Sequence, residues 1–192
     1  NVDWNIREKN SLSFSVLLSE SNGVTKGKVR TDFLDSLIDY INAYNRYNET
    51  KNLNWNAELN TSYRRTFKDN SNDLVIAGNY AYSNRNSTPI YTQKTIDINN
   101  SEAGNTDLLQ RNTNDNITHS GFVQADYTQP FKKSKSKLEI GYKFSTRDIE
   151  SELYGDSLIS STQQYVYDSS VSNKYRFNEM IHAGYVIFGG AV

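Results

Sequence analysis

Residues 137–147 read KLEIGYKFSTR. Leu138, Ile140, Tyr142 and Phe144 occupy alternate positions, with Glu139, Gly141, Lys143, Ser145 and Arg147 between them. Successive side chains of a strand point to opposite sides, so this period of two marks a β-strand with one apolar face. The same pattern runs through 52–67, NLNWNAELNTSYRRTF. There Leu53, Trp55, Ala57, Leu59, Thr61, Tyr63 and Phe67 share a face, and Arg65 is the exception. Leu12, Phe14, Val16 and Leu18 alternate with serines, Leu74, Ile76, Gly78, Tyr80 and Tyr82 repeat the period, and so do Val123, Ala125, Tyr127 and Phe131. The last run, 177–188, is mixed: Ile181, Ala183, Tyr185 and Ile187 oppose His182, Gly184, Val186 and Phe188. These runs make six long strands, and Val2, Trp4 and Ile6 add a stub before them.

The connections alternate in length. Segments 8–10, 68–73 and 132–136 read as short polar turns. Segments 21–48, 84–117 and 155–174 read as long polar loops rich in Asn, Ser, Thr and Asp. Within the first, Phe33, Leu34, Leu37, Ile38, Ile41 and Tyr44 also fit the spacing of a short amphipathic helix, with Thr31 or Asp32 as N-cap. The Tyr/Asn alternation from 40 to 47 fits a strand instead. Both readings of 31–47 stand at this point.

The composition sets the bounds. The chain has 192 residues, 36% hydrophobic and 12% aromatic, no cysteine and a formal net charge of −1. Aromatic content at that level argues against disorder. No apolar run approaches the ~18 residues of a membrane helix. Without cysteine there is no disulfide framework, thiolate metal site or cysteine nucleophile. Balanced charge gives no pull toward nucleic acid. Soluble antiparallel sheets alternate too, but three features go further. Strands of about 12–16 residues exceed the usual ~5–6. Short turns at one end and long loops at the other are the layout of outer-membrane barrels. Trp55, Phe67, Tyr82, Tyr127, Phe131, Phe144 and Phe188 stand where interfacial rings form girdles. The expected fold is all-β: part of the wall of an antiparallel transmembrane β-barrel, about six long strands with long external loops. The expected lipid-facing residues are Leu53, Trp55, Leu59, Leu74, Ile76, Tyr80, Val123, Tyr127, Leu138, Ile140, Tyr142 and Phe144. The alternative is a soluble or surface-attached β-rich binding module, adhesin- or lectin-like, whose two sheets would hide the same faces from water.

At 9–16 (KNSLSFSV), 52–67, 121–131 (GFVQADYTQPF), 135–141 (KSKLEIG) and 176–185 (RFNEMIHAGY) the chain resembles the outer membrane protein beta-barrel family, allied to TonB-dependent receptors of Gram-negative bacteria. DYTQPF followed by KLEIG is the most specific part: one strand descending to a turn and the next rising. The resemblance implies location in the cell outer membrane and a barrel of roughly twenty or more strands. It also implies a plug domain and a periplasmic energy-coupling partner. Residues 1–192 are then expected to be one internal segment of that barrel, with 68–73 and 132–136 facing the periplasm.

Chemistry is sparse. His119 and His182 lack ligand spacing, and His182 is expected to point into the lumen or an interface. Asp69, Ser71 and Asp73 mimic the start of a calcium loop, but Leu74 replaces its glycine and Tyr80 its closing glutamate. No nucleophile elbow, phosphate loop or HExxH motif occurs. No enzyme activity and no cofactor are expected. Five Asn-x-Ser/Thr sequons, at Asn48, Asn60, Asn86, Asn99 and Asn116, fit chance in so Asn-rich a chain. Glu58, Arg64, Asp126, Glu139, Lys143 and Arg147 are expected to form charge ladders on the lumen wall. Tyr91, Tyr154, Tyr165 and Tyr167 are the candidate contacts for an external ligand.

Overall fold

The computed structural model describes residues 1–7, 9–34, 40–67, 72–97, 101–102, 108–131, 135–159, 161–162 and 164–190. The strands are β1 (Val2–Arg7), β2 (Asn10–Leu34), β3 (Tyr40–Thr66), β4 (Asp73–Ile96), β5 (Leu108–Phe131), β6 (Ser136–Ile159), β7 (Gln164–Tyr167) and β8 (Asn173–Gly190). They form one open antiparallel sheet in chain order, and β8 joins β6 beside β7. No second sheet covers either face among the described residues, which removes the sandwich alternative.

The ladders are long and regular. β2 and β3 pair from Asn10↔Arg65 to Phe33↔Asn42 before their first irregularity. β3 and β4 pair from Thr66↔Asp73 to Ala43↔Ile96. Strands of 24 to 27 residues reach roughly 80 Å at ~3.3 Å per residue. This corrects the expectation of long loops: the described parts of 21–48 and 84–117 are mostly strand, and 155–174 carries β7 and the ends of β6 and β8. Residues 31–34 and 40–47 are strand, while 35–39 lie outside the described residues, as do 68–71 and 132–134. Lys135, with φ 48°, makes the left-handed turn into β6.

Cross-strand partners share a face, so the registers assign every side chain. The row Val16–Leu59–Tyr80–Gly121–Thr146–Met180 runs across the sheet. On the same face, two rows toward the turn end, lies Leu12–Tyr63–Ile76–Ala125–Tyr142–Gly184.

A four-residue clamp occurs twice on this face. Tyr80 pairs with Gly121 and Tyr82 with His119; Tyr142 pairs with Gly184 and Phe144 with His182. In each, a glycine lies across from the tyrosine. The tyrosine hydroxyl then reaches the histidine Nδ1, at 2.7 Å for Tyr80–His119 and 2.6 Å for Tyr142–His182. The second aromatic flanks the imidazole, with ring centroids 5.1 Å and 4.8 Å apart. His182 therefore lies on the apolar face, not toward a lumen. The clamp meets a polar ring's hydrogen-bonding need inside an apolar surface.

Among the described residues, Ala43 and Ile96 are buried, 2% and 4% exposed, at the end away from the short turns. Glu102 bridges to Ile96 there and draws three strands together. Its Oε1 accepts from Asn45 Nδ2 at 2.7 Å and from the Tyr47 hydroxyl. Lys94 Nζ lies 3.5 Å from Oε2, and Lys28 Nζ 3.6 Å from Oε1. Tyr47 and Asn45 hydrogen bonds, then the two lysines, hold its pKa down at about 2. A depressed carboxylate stabilises fully above its ordinary value near 4.5 and loses that contribution as pH falls toward 2.

Two outcomes follow. Amide protection of 26–30 and 43–47, corrected for intrinsic exchange, should drop between pH 4.5 and 2. Glu102→Gln should begin lower at pH 7 and show a smaller drop. Tyr142→Phe, which orphans His182, should cost about 1–2 kcal/mol in urea unfolding. The Tyr142→Phe/His182→Phe cycle should give a coupling of at least about 0.5 kcal/mol.

Candidate functional site

The functional surface of this molecule is the sheet itself. All twelve residues expected to meet lipid lie on one face: Leu53, Trp55 and Leu59 on β3, Leu74, Ile76 and Tyr80 on β4, Val123 and Tyr127 on β5, and Leu138, Ile140, Tyr142 and Phe144 on β6. Leu12, Phe14, Val16 and Leu18 extend the face across β2, and Met180, Val186 and Phe188 across β8. Many of these side chains stand open: Val16 is 52% exposed, Val123 56% and Phe188 70%.

The apolar face is a belt with two edges. On β4 it runs from Leu74 to Tyr82, on β6 from Leu138 to Phe144. Beyond it the same face turns polar, with Glu20, Asn84, Glu150 and Arg176 in one row beside Trp55 and Ile117. The lower edge also drifts. On β2 it begins at Leu12, which aligns through Tyr63, Ile76 and Ala125 with Tyr142. On β6, however, the belt begins at Leu138, four residues lower and four strands away. One residue per strand, at ~3.3 Å rise and ~4.8 Å spacing, is a strand tilt of roughly 35°. At that tilt, seven to nine residues per strand span roughly 20–25 Å of height. Barrel strands tilt ~35–45° and carry an apolar band ~25 Å tall. The girdle rings divide accordingly. Phe67, Tyr127, Phe131 and Phe188 stand at the lower edge, where Phe67 meets Tyr127 at 6.3 Å and Phe131 meets Phe188 at 6.5 Å. Trp55, Tyr82 and Phe144 stand at the upper.

The opposite face is polar and internally satisfied. Glu58 Oε1 accepts from Asn60 at 2.9 Å and Asn79 at 3.1 Å, and Asn79 also donates to Asn60 at 2.7 Å. Asp126 accepts from Gln124 and from the Tyr185 hydroxyl, each at 2.7 Å. Tyr185 lies over Gly141, where a Cβ would collide with its ring. Arg64 pairs with Asp73 at 2.6 Å, and Lys143 sits 4.2 Å above the Phe122 ring. Glu58, Arg64, Asp126, Glu139, Lys143 and Arg147 do share this face. They do not form the expected ladder of opposite charges; amides and hydroxyls hold most of the carboxylates instead.

The four candidate tyrosines separate. Tyr91 takes the polar face, paired with Asn48 and stacked by Arg46 at 4.6 Å. Tyr154, Tyr165 and Tyr167 gather on the other face. Tyr154 and Tyr167 have centroids 5.0 Å apart, and Arg111 lies 4.4 Å over Tyr165 while bonding Asp156 at 2.6 Å. β7, which carries two of these rings, was not legible in the sequence. No group of three or more potential metal ligands occurs among the described residues. Asp73 belongs to the Arg64 pair and to a Thr66 hydrogen bond, and its calcium-loop companions 69 and 71 fall outside the described residues.

No curated protein matches the chain. The model of the outer membrane protein beta-barrel family matches residues 65–192. The match begins in the last residues of β3 and runs through β8, and β1, β2 and the rest of β3 extend the same ladder beyond it. By that match over two thirds of its length, the chain belongs to the outer membrane protein beta-barrel family.

Proposed function

We propose that residues 1–192 form an arc in the wall of a larger, TonB-dependent-receptor-like importer of the outer membrane. The belt faces lipid and the polar face lines the lumen. The short-turn end lies in the periplasm and the far end outside. In this reading transport is driven by a plug domain and a periplasmic energy-coupling protein, and the wall does no chemistry. The carrying observation is the belt: bilayer height, barrel tilt and many open apolar side chains on a sheet with no second layer among the described residues.

Strand direction supports an arc over a complete barrel. β1, β3, β5 and β8 all run toward the turn end, while β2, β4 and β6 run away from it. Joining the edge strands β1 and β8 would make a parallel pair, and copies of the chain in one orientation would meet in the same way. Spanning barrels of bacterial single chains are antiparallel and even in strand number. With β1 counted as the short edge strand beside the six long ones, closure takes an odd number of further strands.

Leu59 and Ile140 lie near mid-belt on β3 and β6. Leu59→Arg or Ile140→Arg should destabilise the folded protein in bilayers by about 2–4 kcal/mol. Asn60→Arg, on the opposite face, should cost much less. Equal costs at 59 and 60 would reverse or remove the lipid face. Residues 1–192 expressed alone should not give the heat-modifiable band of a closed barrel on unboiled gels; such a band would sink the arc reading.

A further inference from the structure

The three tyrosines left together at the far end of β6 and β7 form a surface of definite chemistry. Tyr154 is 46% exposed, Tyr165 38% and Tyr167 51%. Arg111 is held flat between the Tyr165 ring and the Asp156 carboxylate, and Asp156 is itself buried. The support is built in advance. Asp168 closes the turn after β7: its amide donates to the Gly155 carbonyl at 2.9 Å, and its carboxylate accepts from Ser157 at 3.0 Å and from the Ser170 amide at 2.9 Å. Those bonds hold the Asp168 carboxyl below the usual carboxylate range, the Ser170 hydroxyl acting most strongly. A strand of four residues is thereby fixed to β6, so its rings are ordered before anything binds.

The platform is aromatic and amphipathic, with the Tyr154 and Tyr167 rings tilted 37° to each other. Tyrosine supplies a large rigid apolar face with a hydroxyl at its rim, at low entropy cost. The matching ligand has apolar C–H faces edged by hydroxyls, which is a pyranose chain. Its source is indicated by place. The tyrosines share the face of the belt, outside the wall, and not the lumen face. Going up β6 from Phe144, Asp148, Glu150 and Glu152 come four to eight residues on, paired with Arg176 and Lys174 of β8. Tyr154 comes ten residues on, about 27 Å above the belt at the tilt above. Headgroup regions add only about 5–8 Å per leaflet. The wall thus presents an apolar tier, a charged tier and an aromatic tier in the order in which a glycolipid presents acyl chains, charged headgroup and sugars.

We infer that Tyr154, Tyr165, Tyr167 and Arg111 form a docking platform for the saccharide of an outer-leaflet glycolipid. This rests on the barrel-wall orientation proposed above. The protein, extracted from outer membranes in detergent, is titrated by calorimetry with core oligosaccharide released from lipopolysaccharide, and separately with maltohexaose. Core oligosaccharide should bind in preference, and Tyr154→Ala/Tyr167→Ala should weaken it about tenfold or more. Tyr167→Phe, which keeps the ring, should bind nearly as the parent does. These measurements use the full-length barrel, and heat-modifiable migration of each full-length variant establishes that it is folded. Equal, tyrosine-dependent binding of maltohexaose would overturn the glycolipid as source. No saccharide binding, or binding untouched by the double substitution, would overturn the platform. A normal cost at Leu59→Arg together with no sugar binding would sink the platform alone; no cost there would sink the wall orientation first.

Discussion

A peptide group in hydrocarbon has no water to bond, and each unpaired N–H or C=O there costs several kcal/mol. That constraint orders this chain. It requires unbroken ladders where the belt lies, and the β2–β3, β3–β4, β5–β6 and β6–β8 registers run through it without a bulge. It also excludes proline, which cannot donate. The chain's two prolines lie clear of the belt. Pro130 stands at the turn end of β5. Pro89 stands seven residues above Tyr82, where the β4–β5 register skips Thr88 and Pro89 while β3 stays paired across from them. The interruption falls above the belt.

The polar face follows a different rule. Exposed ion pairs contribute little, and its carboxylates are held mostly by neutral partners. Asparagine, glutamine and tyrosine instead fix the carboxylates of Glu58 and Asp126, with Asn60 and Gln124 on the same strand and Asn79 and Tyr185 on others. An amide both donates and accepts, so Asn79 can serve Glu58 and Asn60 together. The abundance of asparagine in the sequence is in part this network.

The belt was legible from sequence because a strand with one apolar face carries a period of two, and the twelve residues read from that period share a face. Above the belt both faces are wet, and no pressure keeps apolar residues on one of them. Stretches such as 24–34 therefore lose the pattern while keeping the ladder, because the strand beside them persists. Reading ends of periodicity as ends of strands turned wet strand into loop. Glu102 was invisible for another reason: its partners Asn45 and Tyr47 lie 57 and 55 residues away, and nothing local marks them. Tyr91 was grouped with the other tyrosines by segment, when face was the quantity that mattered.

The histidines had a signal that ligand spacing could not show. His119-Ser-Gly121 and His182-Ala-Gly184 repeat H-x-G, and Tyr80-Ala-Tyr82 and Tyr142-Lys-Phe144 repeat an aromatic-x-aromatic pair. The registers place each H-x-G against one such pair. A glycine in a strand weakens it, since it packs no side chain, unless a neighbouring ring fills the gap. Tyr80 and Tyr142 stand opposite these glycines, and that placement brings their hydroxyls to the imidazoles. A one-residue slip would turn the histidine to the other face and leave the hydroxyl over lipid without a partner. The clamp thus penalises the slipped register with two orphaned polar groups. An apolar belt of interchangeable Leu, Ile and Val cannot supply that discrimination, because a belt that is greasy everywhere is indifferent to which strand residue meets which.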